Sequence, residues 1–120
     1  MPRIASPAVP LTSAALHIML ALAEGDRHGY AIAREIETMS KGSVRMGPGT
    51  LYGTLQRLVA AELVEPSAAQ HRNGDDQRRR YYRLTARGRS TLKRELDRLA
   101  GLLAAARRRR LLDHPRPEAV

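Results

Sequence analysis

Gly47-Pro48-Gly49-Thr50-Leu51-Tyr52-Gly53-Thr54-Leu55-Gln56-Arg57-Leu58-Val59-Ala60 is the stretch whose reading decides the fold. Gly47 before Pro48 suits an N-cap followed by proline at the first helical position. Leu51, Leu55, Leu58 and Val59 recur at i, i+4, i+7 and i+8, a core-facing stripe. The other side carries Gly49, Tyr52, Gly53, Gln56, Arg57 and Ala60. Immediately downstream, Leu63-Val64-Glu65-Pro66 reads as a strand. A polar run with Asn73-Gly74-Asp75 reads as a turn, and Arg79 to Leu84 as a second strand. A helix followed by such a hairpin suggests a recognition helix with a wing.

Upstream the periodicity is also helical. From Leu11 to Ala23, the residues Leu16, Met19, Leu20 and Ala23 share one face, with Thr12 or Ser13 as cap and Gly25 as the terminating glycine. A second helical run goes from Arg27-His28-Gly29-Tyr30 to about Ser40 and ends at Lys41-Gly42, with Tyr30, Ala33 and Ile36 expected inward. Downstream, Thr85 caps a long helix that holds no proline from Ala86 to about Leu112. In it Leu92, Leu96, Leu99, Leu103 and Ala106 recur in steps of 4, 3, 4 and 3, a heptad seam. The three shorter helices offer little surface to cover it, so a second copy of the chain is the expected partner.

The predicted fold is therefore mainly α with a small β-hairpin: a winged helix-turn-helix plus a long C-terminal helix. Residues 1–10, with Pro2, Pro7 and Pro10, read as a flexible N-terminal arm. Residues 11–84 read as the DNA-binding domain, 85–112 as the dimerisation helix and 113–120 as a disordered tail.

Charge narrows the partners. The 120 residues hold 21 Lys and Arg against 12 Asp and Glu, a formal net charge of +9. Such a surplus favours polyanions. Four Tyr with no Trp or Phe offer few stacking platforms for single strands. Absence of Cys excludes disulfides and thiolate metal sites. No apolar run approaches the roughly 20 residues that span a bilayer, and residues 1–10 lack a secretory h-region. A cytoplasmic protein without a membrane partner is expected.

Several side chains invite a DNA reading, each beside a plainer one. Between His71 and Arg83 stand five Arg (Arg72, Arg78, Arg79, Arg80 and Arg83) against Asp75 and Asp76. Arginines there suit phosphate oxygens or a minor groove; the plainer reading is a solvated turn. Gln56 and Arg57 have bidentate geometry for adenine and guanine edges, or simply form a polar helix face. Gly49 and Gly53 cost roughly 1 kcal/mol each against Ala in a helix, which close approach to a surface would explain. Arg107 to Arg110 read first as cations at a helix C-terminus. The four His are scattered without metal-ligand spacing, and no nucleophile sits beside a base. Neither a cofactor nor a catalytic site is expected.

The run from Leu16-His17 to Leu22, His28-Gly29-Tyr30, Gly47-Pro48-Gly49-Thr50-Leu51-Tyr52 with Leu55 and Leu58, Arg79-Arg80-Tyr81-Tyr82-Arg83-Leu84-Thr85 and Gly88 together resemble the PadR family of bacterial transcriptional regulators. The resemblance spans about residues 11 to 112 and is to the short type, with one C-terminal helix. It implies a homodimer that binds a palindromic operator in double-stranded DNA and usually represses. It places Tyr30, Pro48, Thr50, Tyr52, Gln56 and Arg57 toward DNA and Arg78 to Arg80 in the wing. A phenolic or drug-like small-molecule effector is a further implied partner, although the absence of Trp removes the stacking surface some short members use. Two other classes stay open at this point: a dimeric adaptor whose basic face meets an acidic protein, and a small basic enzyme. Salt-sensitive binding to duplex DNA discriminates them.

Overall fold

Each helix in this chain starts where a particular side chain, or a proline, makes starting favourable. A computed structural model describes residues 11–68 and 80–114. Helix α1 is Ser13–Ala21; Thr12 is its cap, and the hydroxyl accepts from the Ala15 N–H at 3.1 Å. The buried stripe is Ala15, Ile18, Met19 and Leu22, one step round from the expected Leu16, Met19, Leu20 and Ala23. Leu20 is 38% exposed, while Leu16 and Ala23 pack at the core's edge. This segment is apolar nearly all round, so two adjacent stripes satisfy the same periodicity. The neighbouring helices choose between them. The helix also ends earlier than expected, capped by Leu22, and Gly25 serves the turn beyond, its N–H bonded to the Leu22 carbonyl.

Two residues then form an unanticipated strand, β1 (Arg27–His28), and α2 (Gly29–Met39) follows at once. Its cap is His28, whose Nδ1 accepts from the Ala31 N–H at 3.2 Å. The inward positions are Gly29, Ile32 and Ile36. Tyr30, expected inward, is 62% exposed: it lies one residue past the buried Gly29, about 100° round the helix from the core. The helix terminates through Lys41 and Gly42, both at positive φ (54° and 80°), as the Lys41-Gly42 pair suggested.

Helix α3 is Pro48–Ala60 with Gly47 as cap and no side-chain cap bond. Leu51, Leu55 and Leu58 are buried as expected, Val59 half so. Thr54 joins them at 2% exposure. Strand β2 is Val64–Pro66 and β3 is Tyr81–Leu84. Among the described residues the sheet has three antiparallel strands in the order β1-β3-β2, so the expected hairpin gains a third member. Pro66 sits on an outer strand, where a missing N–H is tolerated.

Helix α4 is Ala86–Arg108. The Thr85 hydroxyl accepts from the Gly88 N–H at 2.9 Å and donates to the Glu62 carbonyl at 2.7 Å. The helix ends four residues short of the expected Leu112, with Arg109 as cap and Arg110 at φ 61°. Arg107 and Arg108 lie in the last turn, where cations complement the carbonyl end of the dipole.

The core joins Ile18 and Met19 of α1 and its cap Leu22 to Ile32 and Ile36 of α2, Leu55 of α3 and Val64 of β2. Leu92 of α4 belongs to it as well, at 4% exposure. The expected seam is therefore corrected at one position: Leu92 has its partners within the same chain, because the first turns of α4 lie against α1. The Asn73-Gly74 turn, the arm 1–10 and the tail from residue 115 lie outside the described residues. No helix among the described residues is long and apolar enough to cross a membrane.

Candidate nucleic-acid interface

The outer side of α3 is set by what its inner side must bury. With Leu51, Thr54, Leu55 and Leu58 turned to the core, the helical period leaves Pro48, Thr50, Tyr52, Gln56 and Arg57 exposed. All five were singled out from the sequence, and the structure brings them to one helix. At its N-terminal end Gly47, Pro48, Gly49 and Thr50 are all exposed, and a Cβ on Gly47 or Gly49 would meet nothing within 4 Å. Packing within the chain does not require those glycines.

Arg57 does not hang free. One of its guanidinium nitrogens donates to the Thr54 hydroxyl at 3.2 Å, one turn back along α3. Thr54 thus spends its buried hydroxyl on a side chain of the exposed face.

Tyr30 stands on the outer side of α2. Its ring stacks near that of His28, with centroids 6.4 Å apart and planes 13° from parallel. The Arg34 guanidinium carbon lies 5.8 Å from the Tyr30 centroid, within cation–π range. The His28 ring in turn meets Tyr81 of β3 edge-on at 5.2 Å. Sequence reading missed His28 and Arg34 as members of this cluster; the i, i+4 spacing of Tyr30 and Arg34 was the available signal.

From the wing side, Arg80 is exposed just before β3. With Gln56, Val59, Pro66 and Tyr82 it lines a groove of about 390 Å³ between α3 and the sheet. Arg80 and Gln56 therefore share one surface. Arg72, Arg78 and Arg79 lie outside the described residues. Arg83, counted in the wing's charge surplus, is engaged: its Nε donates to Glu65 Oε2 at 2.8 Å across the β2–β3 pair. That bond holds its pKa above the usual arginine value. Arg83 is a sheet cross-link here.

The seam of α4 divides. Beyond the buried Leu92, Leu96, Leu102 and Leu103 are exposed and Leu99 is half-buried. Between them Glu95 is buried, gripped by Arg98 through two bonds of 3.0 and 2.7 Å. Arg98 holds the Glu95 carboxyl below the usual carboxylate range, assisted by a bond from the Leu11 backbone. Among the described residues no three His, Cys, Asp or Glu gather as a metal site.

Comparison with known proteins places this arrangement. A family model, the transcriptional regulator PadR-like family, matches residues 18–94. A protein encoded in a transposon of Streptomyces fradiae is 44% identical over 85 residues, 71% of this chain; the chain spans 22% of that protein's length. The transcriptional regulator Rv3488 of Mycobacterium tuberculosis is 39% identical over 88 residues, covering 71% of this chain and 77% of its own. A crystal structure of a PadR family transcription regulator from Clostridium difficile superposes with a TM-score of 0.68 at 22% identity, over 81% of this chain and 97% of that one, and shares the fold. The matched residues run from the core of α1 through α3 and the sheet into α4, and the family is one of regulators, not enzymes. This chain belongs to the PadR-like family of transcriptional regulators.

Proposed function

We propose that the protein is a sequence-specific DNA-binding repressor that docks as a homodimer on a palindromic operator. One observation carries the proposal: α3 leaves Thr50, Tyr52, Gln56 and Arg57 exposed, with Gln56 beside Arg80, in a chain with a net charge of +9. An α-helix fits the major groove, and Gln and Arg read base edges there. The open space before Gly47 and Gly49 favours close approach of the helix start. Tyr30 joins from α2, and Arg72, Arg78, Arg79 and Arg80 of the wing neutralise flanking phosphates.

In this reading residues 11–84 form the DNA-binding unit. Helix α4, Ala86–Arg108, is the dimerisation helix, and its first turns also complete the core. Leu96, Leu103 and the half-buried Leu99, with the exposed Leu102 beside them, pair against a second copy, because leucines left open to solvent need an apolar partner. A two-fold dimer calls for a palindromic site. Repression, and release by a small-molecule effector held between α4 and α1 at the dimer interface, rest on the family resemblance.

The test starts from a random duplex library enriched on the protein. Salt titrations then compare the enriched duplex with a random one. Arg79→Ala weakens both alike and flattens the salt slope by about one unit per protomer, since one phosphate fewer is neutralised. Gln56→Ala or Arg57→Ala costs roughly 1–3 kcal/mol on the enriched duplex and relaxes preference at particular base pairs. If no duplex is enriched and neither class of variant alters DNA affinity, the proposal falls and a protein-binding adaptor takes its place.

A further inference from the structure

Gly29 opens α2 and is buried, yet its backbone is not in the left-handed region that favours glycine. Glycine also costs helix stability against Ala. The reason for it lies across the interface with α3. A Cβ on Gly29 would fall 2.7 Å from Tyr52 Cζ and 3.0 Å from Cε1, and nearer still to the hydroxyl. The tip of the Tyr52 ring occupies the volume a side chain at position 29 would fill. Tyr52 is nevertheless 47% exposed, so the ring lies between the first turn of α2 and the open side of α3.

We propose that Gly29 is a positioning residue for DNA recognition: it seats the Tyr52 ring and fixes the direction in which that ring meets the duplex. The inference rests on the DNA-binding reading of α3. A side chain held in one rotamer before binding loses less freedom on binding. The backbone of α2 comes close enough to α3 to hold Tyr52, and the next residue turns outward.

The test is a cycle of Gly29→Ala, Tyr52→Ala and the double variant, measured by thermal unfolding and by affinity for a duplex enriched from a random library on the wild-type protein. The Cβ meets the far end of a flexible side chain, so Gly29→Ala folds with Tyr52 displaced. It lowers or leaves Tm in the presence of Tyr52 and raises it in the Tyr52→Ala background, where only the helix propensity of Ala remains. It weakens the enriched duplex roughly tenfold, within the range for a recognition contact, and adds nothing in the Tyr52→Ala background. Wild-type affinity in Gly29→Ala, or an equal loss in both backgrounds, overturns the proposal. If the wild type enriches no duplex, the DNA reading fails and the thermal cycle judges the seat: coupled Tm changes sustain it and additive ones refute it. A Gly29→Ala chain that does not fold supports the seat if Tyr52→Ala rescues it and refutes it if not.

Discussion

Replacing either of two glycines in one helix by alanine is expected to change stability in opposite directions. At Gly88 in the first turn of α4, a Cβ would fall 2.9 Å from the Leu63 carbonyl carbon and nearer still to its oxygen. Both are backbone atoms and cannot swing aside. Helix α4 must then retreat from residues 62 and 63, stretching the Thr85 N–H bond to the Leu63 carbonyl (3.1 Å) and the Thr85 hydroxyl bond to Glu62 (2.7 Å). Overpacking costs about 1–3 kcal/mol. Each hydrogen bond contributes about 1 kcal/mol net, and alanine returns about 1 kcal/mol of helix propensity. The net expected loss is about 2–4 kcal/mol, a fall in Tm of about 8–16 °C for a domain of this size. At Gly101, thirteen residues further along the same helix, the added Cβ meets nothing within 4 Å. There Gly101→Ala is expected to gain about 0.5–1 kcal/mol. Urea unfolding of the two variants beside the wild type reads both signs. A Gly88→Ala protein as stable as the wild type, or two variants that shift together, would refute the claim that the approach of α4 to Leu63 sets the cost.

Three further outcomes are expected. Lysines at Leu96 and Leu99 place charge on the exposed seam, and sedimentation should find monomer or unfolded chain; a variant that stays dimeric refutes the seam. Leu92→Ala removes a core side chain and should cost about 2–5 kcal/mol in chemical denaturation; a loss under about 0.5 kcal/mol would return Leu92 to the seam. Glu95, with its pKa held below the ordinary glutamate value by Arg98, contributes stability that is fully present above that ordinary value and lost as pH falls through the lowered one. Glu95→Gln should flatten the acid limb of stability against pH; an unchanged limb assigns acid lability elsewhere.

How far the sequence carried depended on whether local chemistry alone decided the outcome. Thr85 and the Gly47-Pro48 start of α3 act on their own first turns, and both helix starts were legible. The family and winged-helix architecture were legible as well, because α3, β2 and β3 follow one another with distinct periods. What escaped depends on a distant segment. Ala15 and Ile18 face inward because of α2 and α3, and nothing local separates that stripe from Leu16 and Leu20. The two residues of β1 have no periodicity to detect and become a strand only because Tyr81 and Tyr82 lie beside them. Leu92 continues the leucine repeat of α4 yet belongs to the core, since a heptad pattern shows spacing without showing which partner covers each position. At the interface, exposure of Gln56 and Arg57 follows from the helical period; the hold of Thr54 on Arg57 follows from rotamers, which the sequence does not print.

The strand order β1-β3-β2 also dictates a sequence of assembly. β1 and β2 are separated in the sheet by the strand made last, so neither can pair until the chain through Leu84 exists. Helices α1 to α3 can form and dock earlier. The sheet, with its distant pairings, is expected to close afterwards, as topologies rich in non-local contacts fold more slowly. Insertion of β3 then clasps the connector between the first two helices to the strand leaving the third in a single event. Arg80 and the solvent side of α3 would acquire their relative placement only at that closing step, so a chain arrested before it would hold all three helices and lack the surface that α3 and the sheet share.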